Sequence, residues 1–397
     1  MSDKRILFLS QESVIHPVTG EILNAGDLVY FMAGASFFYK QNVTYLSQHE
    51  VQVLLYKNAD FVKNNFDIVI TMHSDLFRES YLDWLTDVTS LYSRFHIPIY
   101  VLGICVNTLD LDYKFNPSDK LKNAILRFVD LIKDGGGDLT LRGDFTKECL
   151  SSLGRDYFFA SGCPSLFLRG DCNLSKPVLS KEEFRPCFNA NAAQNIPFRF
   201  YKEFTDSVYF DQDNYVDFLY HPETLSEERL RRLRPVVKYL LATDRLVGEK
   251  NYALWVRKLR NGKFNFFYGR KLHGNIIGLQ MNIPCFVVPI DVRMREVCDF
   301  YSIPNPYNHP FDETKEDLFD LYSSLDFSEF NLSYSRAFLA FKKYLDSHDI
   351  PNNFGDSSDF IEYINSLCYY DYQNDTDVVK TSSLVRKELC HEGYDKI

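Results

Sequence analysis

Two cations and a histidine lie at one predicted turn of the chain. Arg270, Lys271 and His273 follow a strand-like run over residues 263–268 and precede an apolar run of helical spacing over residues 275–281. Ligands of α/β proteins bind at the carboxyl ends of the strands, where helix N-termini offer free N–H groups and a positive dipole end. The turn therefore predicts an anion site. Histidine titrates near neutral pH, which suits proton transfer beside a bound anion.

Three other features each admit a functional and a structural interpretation. Arg142 stands where a predicted helix begins, a position at which a cation is disfavoured unless it binds an anion. An anion-binding residue and a surface arginine are therefore equal interpretations of Arg142. Cys163 precedes Pro164 and has no histidine nearby in sequence, which favours a packed loop cysteine over a nucleophile. The glycine run at 134–138 lacks the Gly-Lys-Ser/Thr of a phosphate-binding loop and predicts a turn.

Two polar groups flank these candidates. Asn24, Gly26 and Asp27 follow soon after the first predicted strand. A loop on the ligand-binding side and a tight turn with an N-cap are equal interpretations of these residues. After the histidine, a structural ion-pair cluster is favoured over a cleft lining for Asp291, Arg293 and Glu296.

Short apolar runs alternate with longer amphipathic runs in the first part of the chain. Strands are predicted over residues 5–10, 52–56, 67–73 and 98–105, with helices over residues 81–95 and 119–133. Such continuous apolar strands suit a parallel sheet that is covered on both faces. A second alternation follows residue 197, and the pattern after Pro310 is helical. We predict an α/β fold of two Rossmann-like lobes facing across a cleft, with C-terminal helices.

A polar, proline-bearing stretch over residues 169–197 separates the two alternating patterns. It predicts an N-terminal lobe over residues 1–170 and a C-terminal lobe over residues 171–310. The remaining residues, 311–397, are predicted to form helices and a tail.

Composition limits the classes of partner. The chain has 397 residues, a net charge of −10 and a pI of about 5.4, which argues against nucleic acid or anionic lipid as a bulk partner. Nine cysteines without a CxxC indicate thiols in a reducing compartment, and no spacing predicts a metal site or a bound cofactor. No apolar run has the length of a signal-peptide core or a membrane span, so we expect a soluble cytoplasmic protein. Peripheral contact with a membrane-bound acceptor stays open.

A series of motifs in fixed order resembles the polysaccharide pyruvyl transferase family. The turn at residues 269–275 and the helix end at 279–284 are similar to its Gly-x-Arg-Leu-His-Gly and Ala-Leu-Gln-x-Gly-x-Pro segments. Further matches are its Asn-x-Gly-Asp at 24–27, its arginine-then-helix segment at 141–146, its Gly-Cys-Pro-Ser at 162–165 and its Asp-x-Arg-x-x-Glu at 291–296.

The resemblance implies a two-lobed fold like that of many glycosyltransferases (GT-B-like), with the acceptor on the first lobe and the donor on the second. The donor would be phosphoenolpyruvate, and the product a pyruvate ketal on a sugar of a surface polysaccharide or of its lipid- or nucleotide-linked precursor. His273 would be the proton donor. The donor-binding residues would be Arg142, Arg270, Lys271, Gly274 and Asn275. The acceptor or cleft residues would be Asn24, Gly26, Asp27, Asp291, Arg293 and Glu296.

One departure from the family pattern leaves two other functions open. The family has an arginine two places before the histidine, where this chain has Lys271. Lysine keeps the charge but lacks the planar fork that grips a carboxylate at two points. The alternatives are a glycosyltransferase that uses a nucleotide sugar, and a non-catalytic member that binds a glycan.

Overall fold

The chain folds around two parallel β-sheets. The computed structural model describes residues 4–10, 25–169, 173–212, 215, 219, 226–249, 252–356 and 359–360. Asn24 lies outside these residues. Each sheet carries helices on its faces, so that each forms a Rossmann-like lobe, and the prediction of a two-lobed α/β fold is confirmed.

The first lobe contains a six-stranded sheet. Its strands are β1 (Ile6–Ser10), β2 (Val43–Ser47), β3 (Ile68–Met72), β4 (Ile99–Ile104), β5 (Asp138–Leu141) and β6 (Phe159–Ala160). Its helices are α1 (Ala25–Ser36), α2 (Gln48–Lys57), α3 (Phe61–Asn65), α4 (Leu82–Tyr92), α5 (Asp119–Asp134) and α6 (Asp144–Ser152). The strand order is β2-β1-β3-β4-β5-β6. The connections therefore change direction between β1 and β3, where such folds bind ligands.

The second lobe contains a five-stranded sheet. Its strands are β7 (Pro186–Asn189), β8 (Val208–Asp211), β9 (Leu246–Gly248), β10 (Phe266–Gly269) and β11 (Cys285–Val287). Its helices are α7 (Phe198–Glu203), α8 (Glu227–Arg232), α9 (Pro235–Ala242), α10 (Tyr252–Gly262) and α11 (Leu272–Gln280). The strand order is β11-β10-β7-β8-β9, which puts the change of direction between β7 and β10.

Buried apolar strands and amphipathic helices explain the layers. Every residue of β1, β3 and β4 is buried, as expected for parallel strands covered on both faces. Helix α5 begins at an N-cap, Ser118, whose hydroxyl accepts from Leu121 N, and it buries one apolar face against the sheet. In the described part of the chain, no helix combines the length and apolar character that a membrane span requires.

The C-terminal segment returns to the first lobe. Its helices are α12 (Val292–Tyr301), α13 (Leu318–Ser324) and α14 (Ser328–Ser347). The ring of Tyr344 stacks on Phe159 with centroids 5.8 Å apart, and His348 Nε2 lies 3.0 Å from Asp138 Oδ2. Both partners belong to the first sheet, so the C-terminal part of α14 packs against the first lobe.

The predicted strand over residues 52–56 is wrong, because these residues belong to α2. The strand at this place is β2, which ends at Ser47. Ser47 and Glu50 form a capping box: the Ser47 hydroxyl accepts from Glu50 N, and the Glu50 carboxylate accepts from Ser47 N. Two otherwise unpaired donors are satisfied in this way, and the chain continues as a helix. A short apolar run alone does not distinguish a strand from a buried helical turn.

Candidate active site

His273 lies where the two lobes meet. It is the second residue of α11, which follows β10 after a turn at Arg270 and Lys271. Its ring packs on Tyr30 of α1 in the first lobe, with centroids 5.6 Å apart. The side chain is only 8% exposed, so the histidine is enclosed at the junction of the lobes.

The surroundings of His273 keep its imidazole neutral. Burial lowers the pKa of His273 well below its usual value, and the positive charges of Arg142 and Arg293 lower it further. The nearby carboxylate of Asp75 opposes this effect. A bound anion would act in the same direction as Asp75 and favour the imidazolium.

Arg142 brings an unbalanced positive charge to the junction. It follows β5 directly and is fully buried. Its Nε donates to Gly103 O at 2.8 Å, and its guanidinium carbon lies 4.7 Å from the ring centroid of Tyr30. Among the described residues, neither terminal nitrogen, Nη1 or Nη2, has a hydrogen-bond partner. A buried guanidinium with two unsatisfied nitrogens is costly, and an anion with two or more oxygens would satisfy it.

A charged network continues from the first lobe to the start of α12. Arg293 Nη1 lies 3.5 Å from Asp75 Oδ2, and Arg293 Nη2 lies 3.1 Å from Asp291 Oδ2. Arg78 and Asn107 donate to Asp75 Oδ2 at 2.9 and 3.0 Å. Burial by itself would raise the pKa of Asp75, but Arg293 and Arg78 hold it well below its usual value. The structure thus joins Asp291 and Arg293 in an ion-pair cluster that includes Asp75.

The sequence analysis missed Asp75 and Asn107. Each stands shortly after a buried strand of the first sheet, β3 and β4 respectively, at the edge where α/β folds place ligands. That position was the available signal. Arg293, which pairs with Asp75, and Asp291, which accepts from Asn107, are about 200 residues further along the chain, so local spacing could not reveal the cluster.

Glu296 bridges the lobes through hydrogen bonds, without an ion pair among the described residues. Its carboxylate accepts from Thr146 N at 2.6 Å and from Thr146 Oγ1 at 2.8 Å, at the start of α6. Burial raises the pKa of Glu296 to about 7, against the lowering effect of these two hydrogen bonds. The same side chain lines a cavity of about 650 Å³ between α6, α12 and α14.

We expect Glu296 to give the stability of the protein a pH dependence. Between pH 4.5 and about 7, the folded chain holds a proton on Glu296 that the unfolded chain has released, so the free energy of unfolding falls as the pH rises. Glu296→Gln should remove this slope, so that the change in the free energy of unfolding between pH 4.5 and about 7 differs from that of the wild type by an amount on the order of 3 kcal/mol. Urea unfolding of both proteins at several pH values measures it, and parallel slopes would contradict the assignment.

Arg270 is committed to a different part of the second lobe. Its Nη2 pairs with Glu313 Oε1 at 2.5 Å, and its Nε donates to Asn195 O at 3.2 Å. The hydroxyl of Tyr268 donates to the other oxygen of Glu313. Binding a donor with Arg270 would require this pair to break, so the structure separates Arg270 from the cluster around His273.

The turn before His273 is held by one buried amide. Asn189 Oδ1, at the end of β7, accepts from Lys271 N and from Asn275 Nδ2, each at 3.1 Å. Asn275 Nδ2 also donates to Lys271 O at 2.7 Å. Gly274 packs closely against two side-chain amides, because a Cβ there would lie 3.0 Å from Asn189 Cγ and 2.0 Å from Gln212 Nε2. Gly274 and Asn275 therefore shape the turn and hold Lys271 beside the histidine.

Gly269→Ala is expected to destabilise the protein by ~1–3 kcal/mol, the usual cost of overpacking. A Cβ at Gly269 would lie 2.1 Å from Asn189 O, a backbone atom that cannot move aside without disturbing the pairing of β7 and β10. Chemical denaturation measures the loss. An unchanged midpoint would show that the end of β10 is less tightly packed than the structure has it.

The remaining predicted residues lie at the start of α1. Gly26 is buried and Asp27 is half-buried in the first turn, where a carboxylate favours the helix dipole. Within the described ranges, no group of three histidine, cysteine, aspartate or glutamate side chains is arranged to hold a metal ion.

Cys163 lies much nearer to the candidate site than its sequence context indicated. Its Sγ is 4.0 Å from His273 Nε2 and 2.9 Å from Ser165 Oγ. A packed loop cysteine was favoured partly because no histidine stands near Cys163 in sequence. In the folded chain a histidine does lie beside its sulfur. The fold brings the pair together across 110 positions of sequence.

Comparison with known proteins places the chain in a family. A family model described as polysaccharide pyruvyl transferase matches residues 34–292. Among solved structures, an uncharacterised protein from Klebsiella pneumoniae is 16% identical, with 76% of this chain and 91% of that chain covered and a TM-score of 0.39. The MnaA–UDP structure from S. aureus is 13% identical, with 86% and 97% covered and a TM-score of 0.43. No curated protein matches the sequence. The family match spans more than half of the chain, which therefore belongs to the polysaccharide pyruvyl transferase family.

Proposed function

We propose that this protein transfers the pyruvate unit of phosphoenolpyruvate onto two hydroxyls of one sugar, forming a ketal. Family membership supports a transferase of this kind. The observation that carries the choice of donor is the buried guanidinium of Arg142 near His273, whose two terminal nitrogens have no hydrogen-bond partner in the described part of the chain. A small anion with a carboxylate and a phosphate supplies the oxygens that such a group needs.

The charges at the junction suit this donor. Arg142, Arg293 and Lys271 all lower the pKa of His273, so all three place positive charge near the imidazole. In this proposal Arg142 binds the donor directly with its unpaired nitrogens. Arg293 stays in its pair with Asp75 and Asp291 and contributes long-range attraction. Lys271 stands where the family has an arginine, and its ammonium group lacks the planar fork that binds a carboxylate through two hydrogen bonds. In this proposal Arg142 makes those two hydrogen bonds.

His273 protonates the terminal enol carbon of the bound donor. Positive charge then develops at the neighbouring carbon, where a sugar hydroxyl attacks and from which phosphate leaves. A second hydroxyl of the same sugar closes the ketal. The dianionic donor raises the pKa of the imidazole and so favours its acidic form. Acid–base assistance of this kind contributes ~10²–10⁴-fold in rate.

Thermal unfolding in the presence of candidate donors separates three functions. We expect phosphoenolpyruvate to raise the melting temperature in a saturable way, since a ligand that binds only the folded state stabilises it. Stabilisation by a nucleotide sugar alone would instead favour a glycosyltransferase. Stabilisation by neither donor would favour a non-catalytic, glycan-binding protein. Inorganic phosphate and pyruvate serve as controls for general anion binding.

A further inference from the structure

The proposed acid has to acquire its proton in a place that disfavours a charged imidazole. His273 is 8% exposed and lies close to three cations. An imidazolium that formed alone in the free protein would therefore release its proton. A proton source in contact with the ring would remove this difficulty.

Cys163 brings a thiol into contact with the imidazole. Its Sγ lies 4.0 Å from His273 Nε2, at the limit of a hydrogen bond to sulfur, and it is fully buried. The backbone of Cys163 is fixed because the hydroxyl of Tyr301 donates to its carbonyl oxygen at 3.3 Å. Ser165 Oγ lies 2.9 Å from the sulfur.

A second observation shows that this place can hold negative charge. Arg142 is fully buried, neither of its terminal nitrogens has a hydrogen-bond partner within the described ranges, and it interacts electrostatically with the sulfur of Cys163. The sulfur of Cys163 therefore lies beside a buried guanidinium with two unsatisfied nitrogens.

We propose that Cys163 and His273 form a thiol–imidazole pair that stores the proton delivered to the donor. The proposal rests on the proposed function of pyruvyl transfer. The pair carries no net charge when the thiol is protonated and the imidazole is neutral, so burial does not expel its proton. Cys163 then supplies its proton through His273, by transfer along the ring.

The proton movements balance over the reaction. In the first step the Nδ1 proton of His273 moves to the terminal enol carbon, and the Cys163 S–H bond breaks as its proton moves to Nε2. In the second step the first sugar hydroxyl attacks the neighbouring carbon and gives its proton to Nδ1, while the Nε2 proton returns to sulfur. The carbon–oxygen bond to phosphate then breaks, the oxygen of the second sugar hydroxyl bonds to the same carbon and closes the ketal, and the proton of that hydroxyl leaves with the phosphate.

Charged and titratable groups face the pair from both lobes. Those acting on the imidazole are Arg142, Arg293, Lys271 and Asp75. Those acting on the sulfur or affected by it are Arg142, Tyr30 and Tyr301. The cations outnumber the single carboxylate, so an isolated imidazolium is disfavoured at this place.

The pH dependence of turnover tests the pair. In Cys163→Ala and Cys163→Ser the remaining acid is an isolated imidazolium, so we expect turnover at neutral pH to fall by ~10²-fold. The activity of both variants relative to the wild type should recover as the pH is lowered, because the imidazole of His273 then takes its proton from the solvent. The melting-temperature shift by phosphoenolpyruvate should be unchanged. Cys285→Ser is the matched control: its thiol is buried in β11, away from the junction, and its pH profile should keep the wild-type shape.

Two kinetic outcomes would overturn the proposal. One is a wild-type rate and pH profile in both Cys163 variants. The other is a loss by the same factor at every pH, which a purely structural role would produce. Absence of turnover in the wild type with phosphoenolpyruvate and sugars would count against the proposed function and leave the pair to be tested by spectroscopy.

Nitrogen NMR of the imidazole ring tests the pair without any activity. The resonances of His273 are assigned by their loss in His273→Gln. We expect the free wild-type protein to carry its ring proton on Nδ1, with Nε2 accepting from the thiol, and we expect the Nε2 shift to move in Cys163→Ala. A ring protonated on Nε2 would overturn the pair, even if neither cysteine variant folds.

Discussion

Replacement of His273 by glutamine is expected to lower kcat by ~10²–10⁴-fold while the fold and most of the donor affinity are retained. Glutamine keeps a polar side chain at the junction but cannot deliver a proton. Since the lost interaction belongs to the transition state, kcat and kcat/KM should fall together. Steady-state kinetics and the melting-temperature shift by phosphoenolpyruvate measure the two effects separately.

His309→Gln is the matched control for this experiment. Its ring contacts Ser324 Oγ at 3.0 Å, away from the junction of the lobes, so turnover should stay at the wild-type level. Near wild-type turnover in His273→Gln would reduce His273 to an anion ligand. The proton would then have to come from another group.

Arg142→Met is expected to weaken phosphoenolpyruvate binding by ~1.5–3 kcal/mol, or about 10–100-fold in Kd. Methionine fills much of the same buried space without charge, and the stability of the free protein should change little because an uncompensated buried cation is removed. Melting temperature as a function of phosphoenolpyruvate concentration measures both quantities.

Arg155→Met provides the control for Arg142. Arg155 is a surface arginine that pairs with Asp130 through two hydrogen bonds of 2.7 and 2.8 Å. Its replacement should leave the stabilisation by phosphoenolpyruvate intact. Equal donor stabilisation in Arg142→Met and the wild type would show that the unpaired guanidinium does not bind the donor.

Features that depend on local sequence could be predicted. The turn before His273 is a strand, a basic turn and a helix in succession, and the structure contains this order in β10, residues 270–271 and α11. The buried strands β1, β3 and β4 were equally recognisable from their continuous apolar character. Together these elements and the order of motifs were sufficient for the fold and the family.

Features that depend on tertiary contacts could not be predicted. Arg142 stood at a position that fitted a surface side chain, yet it is fully buried and contacts Gly103 of β4 and Tyr30 of α1. Arg293, a partner of Asp75, and His273, which contacts Cys163, come from the other half of the chain. Arg270 was expected to bind the donor, and its ion pair with Glu313, a residue beyond β11, could not be predicted from local sequence.

Product analysis tests the central claim most directly. The wild-type protein is incubated with phosphoenolpyruvate and a panel of lipid-linked and nucleotide-linked sugars, and the products are analysed by mass spectrometry together with released phosphate. We predict one acceptor that gains the mass of pyruvic acid less one water, with one phosphate released per product, and no such product with His273→Gln. Transfer of a sugar from a nucleotide sugar, with phosphoenolpyruvate left unconsumed, would contradict pyruvyl transfer.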